Sequence, residues 1–139
     1  MLEEPKITIL KIADRNNYLL KSVDEIDFGK LISGSRSDAI GYVFAASCSP
    51  SISEVILNFD GCYLNKSGQL ILDQDVNLLI GKDENLFEYA KLKKGEKYRI
   101  GDTLTPDRHS QPLYFAIMCD SFVQKGERIV RIGFSYEIP

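Results

Sequence analysis

Apolar and polar residues alternate with a period of two along much of the chain, and a helical period is nearly absent. The C-terminal stretch carries the pattern most fully. Val130, Ile132, Phe134, Tyr136 and Ile138 fall on one side, and Ile129, Arg131, Gly133, Ser135 and Glu137 fall on the other. Such a run predicts a strand with one buried and one mostly wet face. Upstream, Leu113, Phe115, Ile117 and Cys119 alternate with Tyr114, Ala116 and Met118, so this run is expected to be buried on both faces. Residues 120–126 between them are polar and close on Gly126, which predicts a hairpin pairing 113–119 with 128–138.

Further strands are predicted at 6–13, 39–47, 55–60, 69–72, 76–80, 87–92 and 97–100, with 85–90 readable instead as one helical turn. Glycine or proline punctuates nearly every gap: Pro50, Gly61, Gly68, Gly81, Gly95, Gly101 and Pro106. Lys93-Lys94-Gly95-Glu96 has the composition of a tight hairpin turn, and residues 102–111 are the longest polar insertion. Strands at this spacing, separated by turn signals, imply an all-β, mostly antiparallel β-sandwich, immunoglobulin-like or jelly-roll. The length of 139 residues implies a single domain, 1–139.

A net charge of −3 gives no basic field for phosphate neutralisation, so no nucleic-acid partner is expected. The densest basic cluster, Lys91, Lys93, Lys94 and Lys97, is interrupted by Glu88 and Glu96 and reads as a solvated rim. No apolar run has the length of a membrane span, and Met1-Leu2-Glu3-Glu4-Pro5 is acidic, unlike the basic start of a signal peptide. Synthesis in a reducing cytosol and no membrane partner are expected. Cys48, Cys62 and Cys119 are odd in number and form no CxxC pair. Cys119 reads as a small buried hydrophobe, and only proximity in the chain speaks for a Cys48–Cys62 disulfide.

Candidate chemistry is sparse. His109 is the only histidine and lies in the polar insertion, with no family signature around any cysteine or serine that it could activate. The strongest candidate metal ligands are Asp73, Asp75 and Asn77, with Glu84 eleven residues after Asp73, which match most of the oxygen spacing of a calcium loop. Leu78, however, occupies the place of the turn glycine, and Val76, Leu78 and Ile80 alternate as a strand that would splay the carboxylates. The acidic pairs Asp24-Glu25 and Asp83-Glu84 lack any sign of a pocket to separate their pKa values. No glycine-rich run forms a phosphate cradle. No cofactor and no enzymatic activity are expected.

Two resemblances add to this reading. Phe28-Gly29, Gly34-Ser35, Ser37, Tyr42-Val43-Phe44 and Val55-Ile56-Leu57-Asn58-Phe59 resemble the first half of the immunoglobulin-like accessory modules of bacteriophage virions. The likeness spans residues 26–59: an apolar strand ending at Gly29, a tight polar turn through Gly34-Ser35-Arg36-Ser37-Asp38, and the next strand starting at Ile40-Gly41-Tyr42-Val43-Phe44 make an opening hairpin. It implies a structural or adaptor protein of a phage particle, docked on other subunits and itself oligomeric there, made in the host cytoplasm and carried in the virion. Separately, Cys119 and the stretch from Gly126 to Phe134 are similar to a late strand of the anti-silencing histone chaperones. That likeness implies, as the alternative, a soluble protein-binding chaperone.

Overall fold

The computed structural model describes residues 5, 7–12, 26–31, 36–49, 51–101, 103–119 and 126–138. Among these residues there are strands and no helix. In chain order the strands are β1 (Ile7–Lys11), β2 (Ile26–Leu31), β3 (Ile40–Ala46), β4 (Ser53–Lys66), β5 (Gln69–Leu72), β6 (Val76–Gly81), β7 (Ala90–Leu92), β8 (Lys97–Arg99), β9 (Leu113–Cys119) and β10 (Gly126–Glu137). They form two antiparallel sheets, ordered β1-β3-β9-β6-β7 and β2-β10-β4-β5, with β8 on the β5 side of β4. The sheets pack face to face, as the alternation requires.

Three pairings are nested: β2 with β10, β3 with β9, and β4 with β8. They fall alternately in the two sheets. A long antiparallel ribbon folded over on itself produces this order, so the winding follows the jelly-roll alternative rather than a stack of local hairpins. Among the described residues, only β4–β5 and β6–β7 connect neighbours within one sheet. The β4–β5 turn is two residues long. Ser67 and Gly68 sit at φ 53° and 81°, and this double positive φ matches the twist of the flanking strands.

The nesting overturns three local expectations. Leu113–Cys119 does not pair with β10, because β9 lies between β3 and β6 in the opposite sheet. Strand β2 does not form a hairpin with β3; it pairs with β10, and it continues past Gly29, with Phe28 and Gly29 together opposite Arg128 as a bulge. Lys93–Glu96 is a tight turn, closed by the Glu96 N–H donating to the Lys93 carbonyl at 2.9 Å, but it carries the chain from one sheet to the other. The physical reason is common to all three. Alternation specifies which face of a strand is buried, and two strands facing one core across a sandwich satisfy it as well as two side by side.

The core lies between the layers. Tyr42, Phe44, Leu78, Ile80, Phe115 and Ile117 from one sheet meet Val55, Leu57, Phe59, Cys62 and Val130 from the other. Phe44 stands edge-on to Phe115 and, across the interface, to Phe134, at centroid distances of 6.2 and 5.3 Å. The β10 row behaves as its pattern implies through Val130, Ile132, Phe134 and Tyr136. Ile138, past the strand end, is 42% exposed and does not belong to that row's buried part. Strand β9 is covered on its second face too, where Leu79, Leu86 and Ala116 form a smaller cluster with Ala39, Tyr114 and Met118. Gly61 does not end β4: Asp60 is an extra residue between the Arg131–Gly61 and Ile132–Phe59 pairs, so the strand bulges and runs on to Lys66.

The polar insertion at 102–111 is stitched to the sandwich. Leu104 is fully buried and exchanges two backbone bonds with Ile52, while the Ser110 N–H donates to the Phe44 carbonyl at 2.7 Å. In return the Phe44 N–H donates to the Ser110 hydroxyl oxygen at 2.9 Å. Ser110→Ala should therefore leave a buried donor unmet and lower stability by about 1–3 kcal/mol, read from urea unfolding. On β9, the Ile117 N–H makes the matching bond to the Ser37 hydroxyl at 2.9 Å.

Candidate functional site

Beyond β6 the chain leaves the sheet in a loop, residues 82–89, that curls back over its own strand. Gly81 makes the close approach possible, since a Cβ there would lie 2.7 Å from the Glu88 carbonyl oxygen. The loop is tied down from within. The Asn85 N–H donates to the Asp83 carboxylate at 2.9 Å, and the Leu86 N–H donates to the Asp83 carbonyl at 3.1 Å. Leu86 itself is buried against Leu79 and Ala116 at φ 51°, a left-handed conformation that costs a leucine roughly 1–2 kcal/mol. Burial of its side chain offsets that strain. The next residue points the other way: Phe87 is 84% exposed, and Tyr89 is 47% exposed.

Phe87 and Tyr89 border a groove of about 480 Å³ whose far wall is Tyr98 of β8, with Lys82, Asp83 and Glu88 also lining it. A smaller cavity of about 130 Å³ continues past Lys82 and Tyr98 toward Arg99 and Gln111. Arg99 pairs with Glu54 at 2.9 Å, an exposed bridge that contributes little to stability. The groove lies where the edges of the two sheets, β7 and β8, come together. Three rings on a tethered loop and its facing strand can bury apolar surface against a partner. The charged groups can add directional contacts of both signs.

Sequence reasoning missed this site because it placed residues 87–92 in a strand. Only Ala90–Leu92 pairs, and the alternative helical turn at 85–90 does not form. The available signal was the Gly81 break followed by the polar run Lys82-Asp83-Glu84-Asn85, and Lys91, which ends the Phe87 and Tyr89 alternation after two residues.

The calcium candidates are not brought together. Asp73 and Asp75 sit in the β5–β6 turn, Asn77 is buried within β6, and Glu84 lies in the loop beyond the far end of that strand. Six residues of strand at about 3.3 Å each separate the two ends. Among the described residues no group of three or more His, Cys, Asp or Glu side chains could hold a metal ion. Asp73 has another task. Its Oδ2 accepts from Arg128 Nη2 at 3.0 Å, and its Oδ1 accepts from the Asp75 N–H at 3.1 Å. Arg128 is fully buried and also donates from Nη1 to the Gly126 carbonyl at 3.2 Å. The pair joins the start of β10 to the β5–β6 turn.

Cys62 packs beside this pair. Its thiol is pushed up to about 12, chiefly by burial; nearby Arg128 opposes the shift, and Asp73 adds to it. The group therefore stays protonated and is a poor nucleophile. Cys119 is buried as expected, Cys48 is half-buried, and none of the three cysteines is in a disulfide, so the Cys48–Cys62 pairing is not formed. His109 is exposed, with Nδ1 3.1 Å from the Ser110 carbonyl oxygen. The lysines at 91, 93, 94 and 97 are exposed along the β7–β8 turn.

Burial of the Cys62 thiol has a pH signature. An unfolded thiol loses its proton near its ordinary value of 9.0, and the folded one does so at about 12. The folded state thus holds the extra proton, and the contribution is complete below pH 9.0 and lost as pH rises toward 12. Denaturant unfolding at pH values on either side of 9.0 should show a smaller alkaline loss in Cys62→Ala than in the unmodified chain. An equal loss in both would contradict the assignment.

Among the described residues, no helix is long and apolar enough to cross a membrane. No family model matches the chain, and searches of curated proteins and of solved structures find no similar protein.

Proposed function

We propose that the protein is a non-enzymatic structural or adaptor subunit of a phage particle, acting at its head, neck, tail or baseplate by docking onto other protein subunits. The observation that carries the docking part is Phe87, held 84% exposed by a loop whose neighbouring Leu86 is locked into the sandwich. An apolar ring on a tethered loop loses little conformational freedom on binding, which favours a protein contact. Assignment to a particle rests on the resemblance of residues 26–59 to virion accessory modules in sequence alone, since β2 and β3 do not form the hairpin that the likeness implied. The mixed signs of the charges around the groove favour a protein partner over nucleic acid. The chaperone alternative gains little from its strand, since the first half of the stretch, Glu127 to Val130, is paired on both sides.

Mass spectrometry of purified particles tests the proposal. Presence in fixed stoichiometry with the other subunits is the expected result. Absence from particles, together with tight binding to a basic host protein, would favour the chaperone instead.

A further inference from the structure

We infer that the Phe87 surface pairs with a second copy of the chain, each Phe87 entering the groove of the other about a two-fold axis. This rests on the docking reading of that loop and names its first partner. An isologous contact needs one patch that is complementary to itself. Here knob and hole lie side by side, because Phe87 both projects from the surface and borders the groove of about 480 Å³. A two-fold rotation can then satisfy both at once.

The charges fit the same operation. Lys82 lines the groove together with Asp83 and Glu88, so the patch carries both signs and a two-fold rotation can set the cation of one copy against an anion of the other. A patch of one sign would repel its own image. Edge-to-edge pairing of β7 is disfavoured by the same logic. Lys91, Lys93 and Lys94 are exposed in and just after that strand, and a β7–β7 contact would set these like charges against one another. The contact is therefore made by loop side chains. The anchoring of Leu86 keeps the knob in place before association.

Sedimentation velocity across the micromolar range tests the inference on the full chain. The unmodified protein should move from the monomer mass to twice that mass as concentration rises. Phe87→Lys should weaken association by at least about thirtyfold, the loss expected of an interface hot spot, with an unchanged melting temperature at concentrations where both proteins are monomeric, because the ring is exposed. Lys82→Glu and Glu88→Lys should each weaken it, and the double exchange should restore it. A heterologous partner would not be restored by swapping charges within one chain. A monomer at every concentration, a trimer or larger ring, or a double exchange weaker than both singles would each overturn the inference. The docking reading fails separately, if Phe87→Lys leaves incorporation into particles unchanged.

Discussion

Asp73→Ala should destabilise the protein by about 3–5 kcal/mol, more than the reciprocal change at the other end of its ion pair. The asymmetry comes from burial. Arg128 has a side chain 0% exposed, whereas the Asp73 side chain is 15% exposed and reaches water at the rim. Removing the carboxylate takes away the anion 3.0 Å from a guanidinium held in the interior. Replacing the arginine with methionine leaves a carboxylate that can rehydrate, with an apolar chain filling much of the vacated space. The double variant Arg128→Met, Asp73→Ala should accordingly be more stable than Asp73→Ala alone. Urea unfolding of all four proteins closes the cycle. A double variant less stable than Asp73→Ala would mean that the guanidinium is well accommodated without its partner.

Phe44→Ala should be of similar size, about 3–5 kcal/mol, for a different reason. Its ring is fully buried and meets Phe115 in its own sheet and Phe134 in the opposite one. Truncation removes two edge-to-face contacts and opens a cavity between the layers, where closely packed strands have little room to collapse. Phe44→Leu should lose no more than about 1.5 kcal/mol, since most of the volume is kept. A drop in stability well under 1 kcal/mol for the alanine variant would place the core elsewhere.

How far the fold could be read from the chain follows from what a period-two pattern encodes. The row of Val130, Ile132, Phe134 and Tyr136 and the doubly covered strand at Leu113–Cys119 were legible, because burial of a face is a property of single residues in order. Pairing was not legible. The nesting of β2 with β10 and of β3 with β9 joins segments far apart in the chain, and no local turn signal marks it. Glycine was ambiguous for the same reason: Gly68 does close a turn, while Gly61 sits in a bulge in the middle of the longest strand. Leu104 and Ser110 were hidden in a polar stretch, their interior roles set by Ile52 and Phe44 many residues away. Arg128 stood in line with the core row, yet its charge gave no hint that Asp73 would meet it there. At the candidate site, Phe87 was visible as a residue but not as an exposed one. Its exposure depends on Leu86 being drawn inward by Leu79 and Ala116.

Hydroxyl-radical footprinting of Phe87 and Tyr89 tests docking through this loop most directly. In the dilute isolated chain both rings should be oxidised readily, as their exposures of 84% and 47% require. In purified particles containing the protein, both should be protected, while Tyr42, buried in the core, stays protected throughout. Equal oxidation of Phe87 in the isolated chain and in particles would contradict the account.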